Sequence, residues 1–314
     1  MGTRKISLLA ALLLLPLGVL AGGLKEYQAK QVSPHVYVIH GPMGLPSKHN
    51  HGFINNPAFV VAPQGVILVD PGSSKQIGAM ILKQVEKVSK KPVVAIFNTH
   101  YHGDHWLGNH GILEKYPKIP IYASKKMLKR VKNGVGEEWH SLIMNLTEGA
   151  IKGTVVKGPT HVAQAGKKLK LGGFTFRIHE PPKAHTEADI LIELVEDHLI
   201  FTGDICMNRR LGRMDDGSFF GAKEAMDLAI QQKAKVYVPG HGMTAGMAMA
   251  KECKSYYQDF TEAVTQSYRN DLDQMGMSPV VKKALQPYHG WSGFEENFGK
   301  HLSLTFLEVE EREF

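Results

Sequence analysis

Two kinds of apolar pattern alternate along this chain. Short β-branched or aromatic runs, bounded by Gly, Pro and Asn, predict strands; segments with apolar residues every three to four positions predict amphipathic helices. A strand is expected over 36–39, followed by a loop over 41–56 rich in Gly, Pro, Asn and His. Residues 59–62 and 66–69 flank the turn Pro63-Gln64-Gly65 and predict a hairpin. Ser74 is placed to cap a helix that carries Ile77, Ile81, Val85 and Val88. A buried strand over 93–97 comes next, then a loop, then a helix-like segment from Trp106.

Residues 119–123 predict another strand, and 125–132 and 137–148 two helices. Gly172-Gly173 joins 168–171 to 174–178 as a second hairpin, and Glu196-Asp197 joins 190–194 to 199–201 as a third. A helix over 219–232 precedes a strand over 236–238 that runs into Pro239-Gly240-His241. Beyond Thr244 the pattern is helical into the 270s, and a last segment holds Trp291, Phe294, Phe298, Leu302, Leu304 and Leu307. Hairpins and helices occur in both halves, without repeats or a low-complexity linker. They predict a mixed α/β (α+β) chain with sheets packed face to face and helices outside.

The 314 residues suffice for one large or two small domains, and 43% apolar content suffices for a full core. The net charge of +7 is modest, and no Lys/Arg run interleaved with aromatics appears, so nucleic acid is not an expected partner. Arg4 and Lys5 precede an apolar stretch over 6–20, and Val19-Leu20-Ala21 offers a cleavage site. The stretch is short for a membrane span, and its order is that of a secretory signal over 1–21. A periplasmic or secreted protein follows, with no stable membrane insertion after cleavage. No Cys follows the site, which argues against a lipid anchor. Export permits a disulfide between Cys206 and Cys253, and two free buried thiols fit the sequence equally well.

The chemistry concentrates in Asn98-Thr99-His100-Tyr101-His102-Gly103-Asp104-His105, directly after the 93–97 strand. Three histidines and an aspartate within six residues, on a loop at a strand's carboxyl end, can converge on one cavity. Imidazole suits zinc, and the carboxylate adds charge and a hard oxygen. Three later residues share the setting of an apolar strand beside a turn: His185 before the 190 strand, Asp204 after Thr202-Gly203, and His241 after Pro239-Gly240. Gly203 and Gly240 let the backbone approach closely there. Each residue alone is ordinary for a loop; together and in this order they predict a metal centre.

The first motif resembles the HxHxDH signature of the metallo-β-lactamase superfamily. By motif position the resemblance covers roughly residues 35–250. It implies an αββα sandwich over 22–250, with a C-terminal helical extension over 251–314 packed on it. It implies that His100, His102 and His185 form one metal site, that Asp104, His105 and His241 form a second, and that Asp204 bridges them. A carboxylate between two dications offsets their repulsion. The activity implied is attack by a metal-bridging hydroxide on a carbonyl ester, thioester, lactone or amide, with Asp104 orienting the nucleophile. The expected cofactor is Zn2+, two per chain, with iron or manganese also compatible with the donors. Class B β-lactamases typically lack a bridging aspartate at the position of Asp204, whereas thioesterases, lactonases and phosphodiesterases of the superfamily have one. Weak β-lactam turnover stays open. Trp291-Ser292-Gly293-Phe294 and the chain's end resemble exported metallohydrolases found with sulfur-oxidation or quinoprotein systems.

Two other functions stay open at this point. One is a mononuclear iron persulfide dioxygenase using His100, His185 and Asp204, a two-His-one-carboxylate set. The other is a non-catalytic periplasmic metal-binding accessory protein. For any of the enzymes the expected partner is a small-molecule substrate. His49 and His51 of the 41–56 loop and Trp139 are candidates to line its cleft, with Lys48, Asn50 and Trp291 beside them. His35, His198, His289 and His301 read as surface or packing residues.

Overall fold

The computed structural model describes residues 24–313, so the expected leader lies outside it. One sheet joins β1 (Lys30–Gln31), β2 (Val36–Val38), β3 (Ala58–Ala62), β4 (Gly65–Val69), β5 (Val93–Phe97), β6 (Ile121–Ala123) and β7 (His161–Val162) side by side in that order. The first four are antiparallel neighbours; from β4 to β7 the pairs are parallel. Parallel neighbours need crossovers. These are α1 (Lys75–Val88), then the short α2 (Gly103–Trp106) and α3 (Asn109–Leu113), then α4 (Lys125–Lys132) and α5 (Val135–Leu146).

The second sheet runs in the order β12-β11-β10-β9-β8. Here β8 (Lys168–Leu171), β9 (Phe174–His179), β10 (Leu191–Leu194) and β11 (Leu199–Met207) are antiparallel, while β12 (Val236–His241) lies parallel to β11 after the crossover α6 (Phe219–Gln231). The helices α7 (Met247–Arg269), α8 (Gln274–Ala284) and α9 (Phe294–Glu313) complete the described chain. No helix among the described residues is long and apolar enough to cross a membrane.

The inner faces of the sheets meet through Val60, Ile67, Ala95 and Phe97 on one side and Phe176, Ile178, Ile192 and Phe201 on the other. Outside the first sheet, Ile77, Ile81 and Val85 of α1 cover Leu68 and Ile96. Outside the second, Ala225 of α6, Phe260 of α7 and Phe298 of α9 share a core with Ile205 and Tyr237. The layers are therefore helix, sheet, sheet, helix, as expected, and the C-terminal helices belong to the outer layer. Every residue of β4 is buried, which is why its sequence is continuously apolar instead of alternating. Ser74 caps α1 by accepting from the Ile77 amide at 3.3 Å.

Three local expectations change. The motif after β5 is not all loop: the helix begins at Gly103, so Asp104 and His105 lie on its first turn. β11 does not stop at Phe201 but continues to Met207, and β12 runs on to His241, because the two remain paired in parallel beyond a register shift at Gly203. Asp204 and His241 thus sit within paired strands. Cys206 of β11 and Cys253 of α7 form a disulfide with Cα atoms 5.6 Å apart, so the alternative of free thiols is set aside.

Candidate metal centre

All seven expected donors are buried and gather where β5, α2, β11 and β12 meet the segment before β10. Donor atoms of His100, His102, His185 and Asp204 lie within 4.8 Å of one another, as do those of Asp104, His105 and His241. Asp204 faces both groups. Its Oδ1 is 3.1 Å from His105 Nε2, and its Oδ2 is 3.2 Å from His241 Nε2 and 3.5 Å from His185 Nε2. Asp104 Oδ2 is 3.5 Å from Nε2 of both His105 and His241. Gly240 is what makes the bridge fit: a Cβ there would fall 1.9 Å from Asp204 Oδ1.

The hydrogen-bond network assigns the rings' tautomers. Thr99 Oγ1 donates to Asp70 Oδ2 at 2.6 Å, so it can only accept from His100 Nδ1 at 3.0 Å. His105 Nδ1 donates to the same Asp70 oxygen at 2.9 Å, and His241 Nδ1 to the Ile54 carbonyl at 2.8 Å. His102 Nε2 donates to Asp216 Oδ2 at 3.2 Å. The opposite nitrogen of each ring is aimed inward. This is the arrangement by which outer partners fix ligating histidines.

A divalent cation fits this set on structural grounds. His100 Nε2, His105 Nε2 and Asp204 Oδ1 are buried without a hydrogen-bond partner, a costly state unless something else satisfies them. His185 Nε2 lies 2.9 Å from the bare Nδ1 of His102, a spacing that needs a proton or a cation between them. Burial, together with the neighbouring His102, pushes His185 down to about 3, which keeps that ring neutral and able to ligate a cation. Burial likewise holds His100 well below its ordinary value, with His105 adding to it. At His105 burial alone would favour the neutral ring, but the charges of Asp204 and Asp104 outweigh it and raise the ring well above its ordinary value. Burial would raise Asp204, yet the charges of His241 and His105 hold it well below the usual carboxylate range.

Asp70, His100 and His105 form a third close group. Asp70 is already committed, accepting from Thr99 N at 2.8 Å, from Thr99 Oγ1 and from His105 Nδ1, so it is an orienting group and not a donor. Its backbone sits at φ 50°, a left-handed conformation that these bonds hold in place. Sequence reading passed over Asp70, Thr99 and Asp216. For Asp70 a signal was there, a carboxylate ending the fully apolar run of β4. Asp216 lies in an irregular segment and carried none. Asp189, pushed up to about 7 by burial, accepts from Thr186 N and Oγ1 at 2.7 and 2.8 Å and braces the turn that presents His185.

A cleft opens over these donors, lined by His102, Asp104, His185, Asp204 and His241 at its base. Trp139 lines it, with its ring 4.6 Å from that of His102. His49 and His51 do not. The Asn50 side chain bonds Ser47 N, Gly52 N and the Leu45 carbonyl, curling the loop so that His49 faces solvent. Ser73 Oγ holds the His51 carbonyl at 3.0 Å. Leu45 and Pro46 of that loop take the lining role instead. Lys48 pairs with Glu148 at 3.0 Å, and Trp291 packs against Tyr256 and Tyr288 away from the cleft. His301 packs too, buried between the Tyr256 hydroxyl and the Gly212 carbonyl.

A family model described as the metallo-beta-lactamase superfamily matches residues 52–241. A probable metallo-hydrolase of Streptococcus pyogenes serotype M6 is 26% identical over 220 residues, 66% of this chain and 88% of that protein. A probable hydroxyacylglutathione hydrolase of Schizosaccharomyces pombe is 23% identical over 211 residues, 65% of this chain and 68% of that protein. A metallo-beta-lactamase from Pontibacter korlensis has a similar fold, with a TM-score of 0.59 over 74% of this chain and 99% of that one, at 20% identity.

Proposed function

The chain belongs to the metallo-beta-lactamase superfamily, and from that membership we propose that it is an exported dinuclear metal hydrolase acting on a thioester, ester, lactone or amide carbonyl. The observation that carries this is the shared carboxylate of Asp204, within 3.1–3.5 Å of rings from both donor groups. His100, His102 and His185 would hold one ion and Asp104, His105 and His241 the other, with Zn2+ the best match to so many imidazoles. Among the carbonyl substrates a thioester is favoured, since a relative similar over 65% of the chain is named a hydroxyacylglutathione hydrolase. Export rests on the leader-like order of residues 1–21.

When bound, the two ions supply a water of lowered pKa and a Lewis acid toward the carbonyl oxygen. Asp104 lines the cleft and is placed to hold the attacking group's proton and orientation. Trp139 and Leu142, on one face of α5, form an apolar wall that excludes bulk water from the acyl group. Asp70 keeps Thr99, His100 and His105 in a single arrangement, so the donors need no reorganisation.

Metal content per chain, measured on protein purified without added metal, followed by a panel of thioesters, lactones and esters, tests this reading. About two zinc ions with thioester or ester turnover is the expected result. A metal-replete protein that hydrolyses nothing on the panel overturns it. About one iron with oxygen uptake on glutathione persulfide moves the assignment to a dioxygenase.

A further inference from the structure

One charge in the cleft wall is not neutralised. Arg210 follows β11, lines the cleft and is only 9% exposed. Its Nη1 donates to the Gly44 carbonyl at 3.2 Å, and it has no carboxylate partner among the described residues. Its sequence neighbours are matched: Arg209 with Glu252 at 3.6 Å, Arg213 with Asp215 at 2.7 Å. Arg213 also lines the cleft, but its guanidinium is already engaged, paired with Asp215 (which Lys300 shares) and lying 5.9 Å from the centre of the Trp139 ring. A guanidinium withdrawn from water without a counter-charge is unfavourable unless an anion completes it. The carboxylates at the base of the cleft, Asp104 and Asp204, are engaged with the histidines.

The rest of the wall is apolar: Leu45 and Pro46 from the loop, Trp139, Leu142 and Leu146 from α5, and Leu211 next to Arg210. Leu45 and Leu146 remain 78% and 48% exposed, which leaves apolar surface at the cleft open to a ligand. The Arg210 segment is pinned from outside the family match. Leu211 N donates to the Ser292 carbonyl at 2.8 Å, Ser292 N to the Arg209 carbonyl at 3.0 Å, and Asn297 Nδ2 to the Leu211 carbonyl at 3.2 Å.

We propose that the cleft is built for an anionic amphiphile: an aliphatic body several carbons long, lying on the leucine and tryptophan wall, with a carboxylate, sulfonate or phosphate received by Arg210. This rests on the cleft being the substrate site of the hydrolase and names the substrate class. Arg210 is then a specificity residue, and the C-terminal helix that carries Asn297 positions it.

Ligand-observed NMR on the full, as-purified protein with 1-hexanesulfonate, 1-octanesulfonate and neutral 1-hexanol tests it. The sulfonate should bind about tenfold more tightly than the alcohol of equal length, and the two extra methylenes should add up to about tenfold. Arg210→Gln, which removes the charge and keeps a polar side chain, should reduce the preference for hexanesulfonate to within about twofold. Arg210→Lys should keep part of it. Equal binding of hexanesulfonate and hexanol by the wild-type protein, which needs no variant to fold, overturns the proposal; so does a full preference in Arg210→Gln. No bond is broken in this assay. Turnover of neutral thioesters without anion preference would refute the anion subsite alone, and Arg210-dependent sulfonate binding without any turnover would refute the hydrolase alone.

Discussion

The donor cluster and the wall above it bound the same cleft but are assembled in opposite ways. The donors come from short segments at the ends of neighbouring strands, and most have their own orienting partner: Asp70 for His105, Thr99 for His100, Ile54 for His241, Asp216 for His102. The wall is taken from a loop before β3, one face of α5, the segment after β11 and the final helix. Ligand chemistry tolerates little displacement and therefore demands rigid elements and fixed tautomers. Apolar lining needs only volume and surface, which many residue types can supply. The metal-ligand set is thus written into short segments, while the cleft lining is written into long-range packing.

The largest expected effect separates chemistry from scaffold. Asp104→Asn should lower kcat by about 10²–10⁴-fold while circular dichroism and the melting temperature stay near wild type. Wild-type turnover would break the claim that the donor cluster does the chemistry. Next, the C-terminal helices should depend on their covalent tie. Replacing Cys206 and Cys253 by Ser opens a link across 47 residues of sequence and should cost about 4 kcal/mol in denaturant unfolding.

A third effect depends on pH. Burial pushes His301 down to about 4 from its ordinary 6.5. The unfolded chain therefore takes up this proton first as pH falls. Stability is full above about pH 6.5 and is lost progressively down to about pH 4, by on the order of 3 kcal/mol. His301→Gln should flatten that window in a comparison of unfolding curves; an unchanged slope would show that the ring is not the group responsible. The smallest effect sharpens the role of the orienting partners. Asp70→Ala should weaken metal affinity by about 10–100-fold in a chelator competition, with both donor groups still present.

Much of this could be read along the chain. The hairpins over β3–β4 and β8–β9, the helix after Ser74 and the seven donors follow from period, turn chemistry and spacing, because neighbours in sequence decide them. Element ends were less legible. β11 and β12 outrun their apolar runs because each satisfies the other's backbone through Asp204 and His241, and no local pattern encodes a parallel partner more than thirty residues away. His49 and His51 were drawn to the cleft by residue type and loop position, but the Asn50 turn decides where they point. Arg210 carried no signal at all: an arginine in an irregular segment is ordinary until its surroundings are known.

By itself, then, the order of residues determined an α/β sandwich and a cluster of metal-ligand side chains, since strand periodicity and ligand spacing are properties of short stretches. Only the tertiary structure decided that Asp70 orients two of the donor rings, that the cysteines meet, and that a guanidinium stands without a counter-charge in an apolar wall. Each of those depends on groups far apart in the chain that meet only when the sheets and outer helices pack, and that packing sets both their distances and the cost of leaving a charge unmatched.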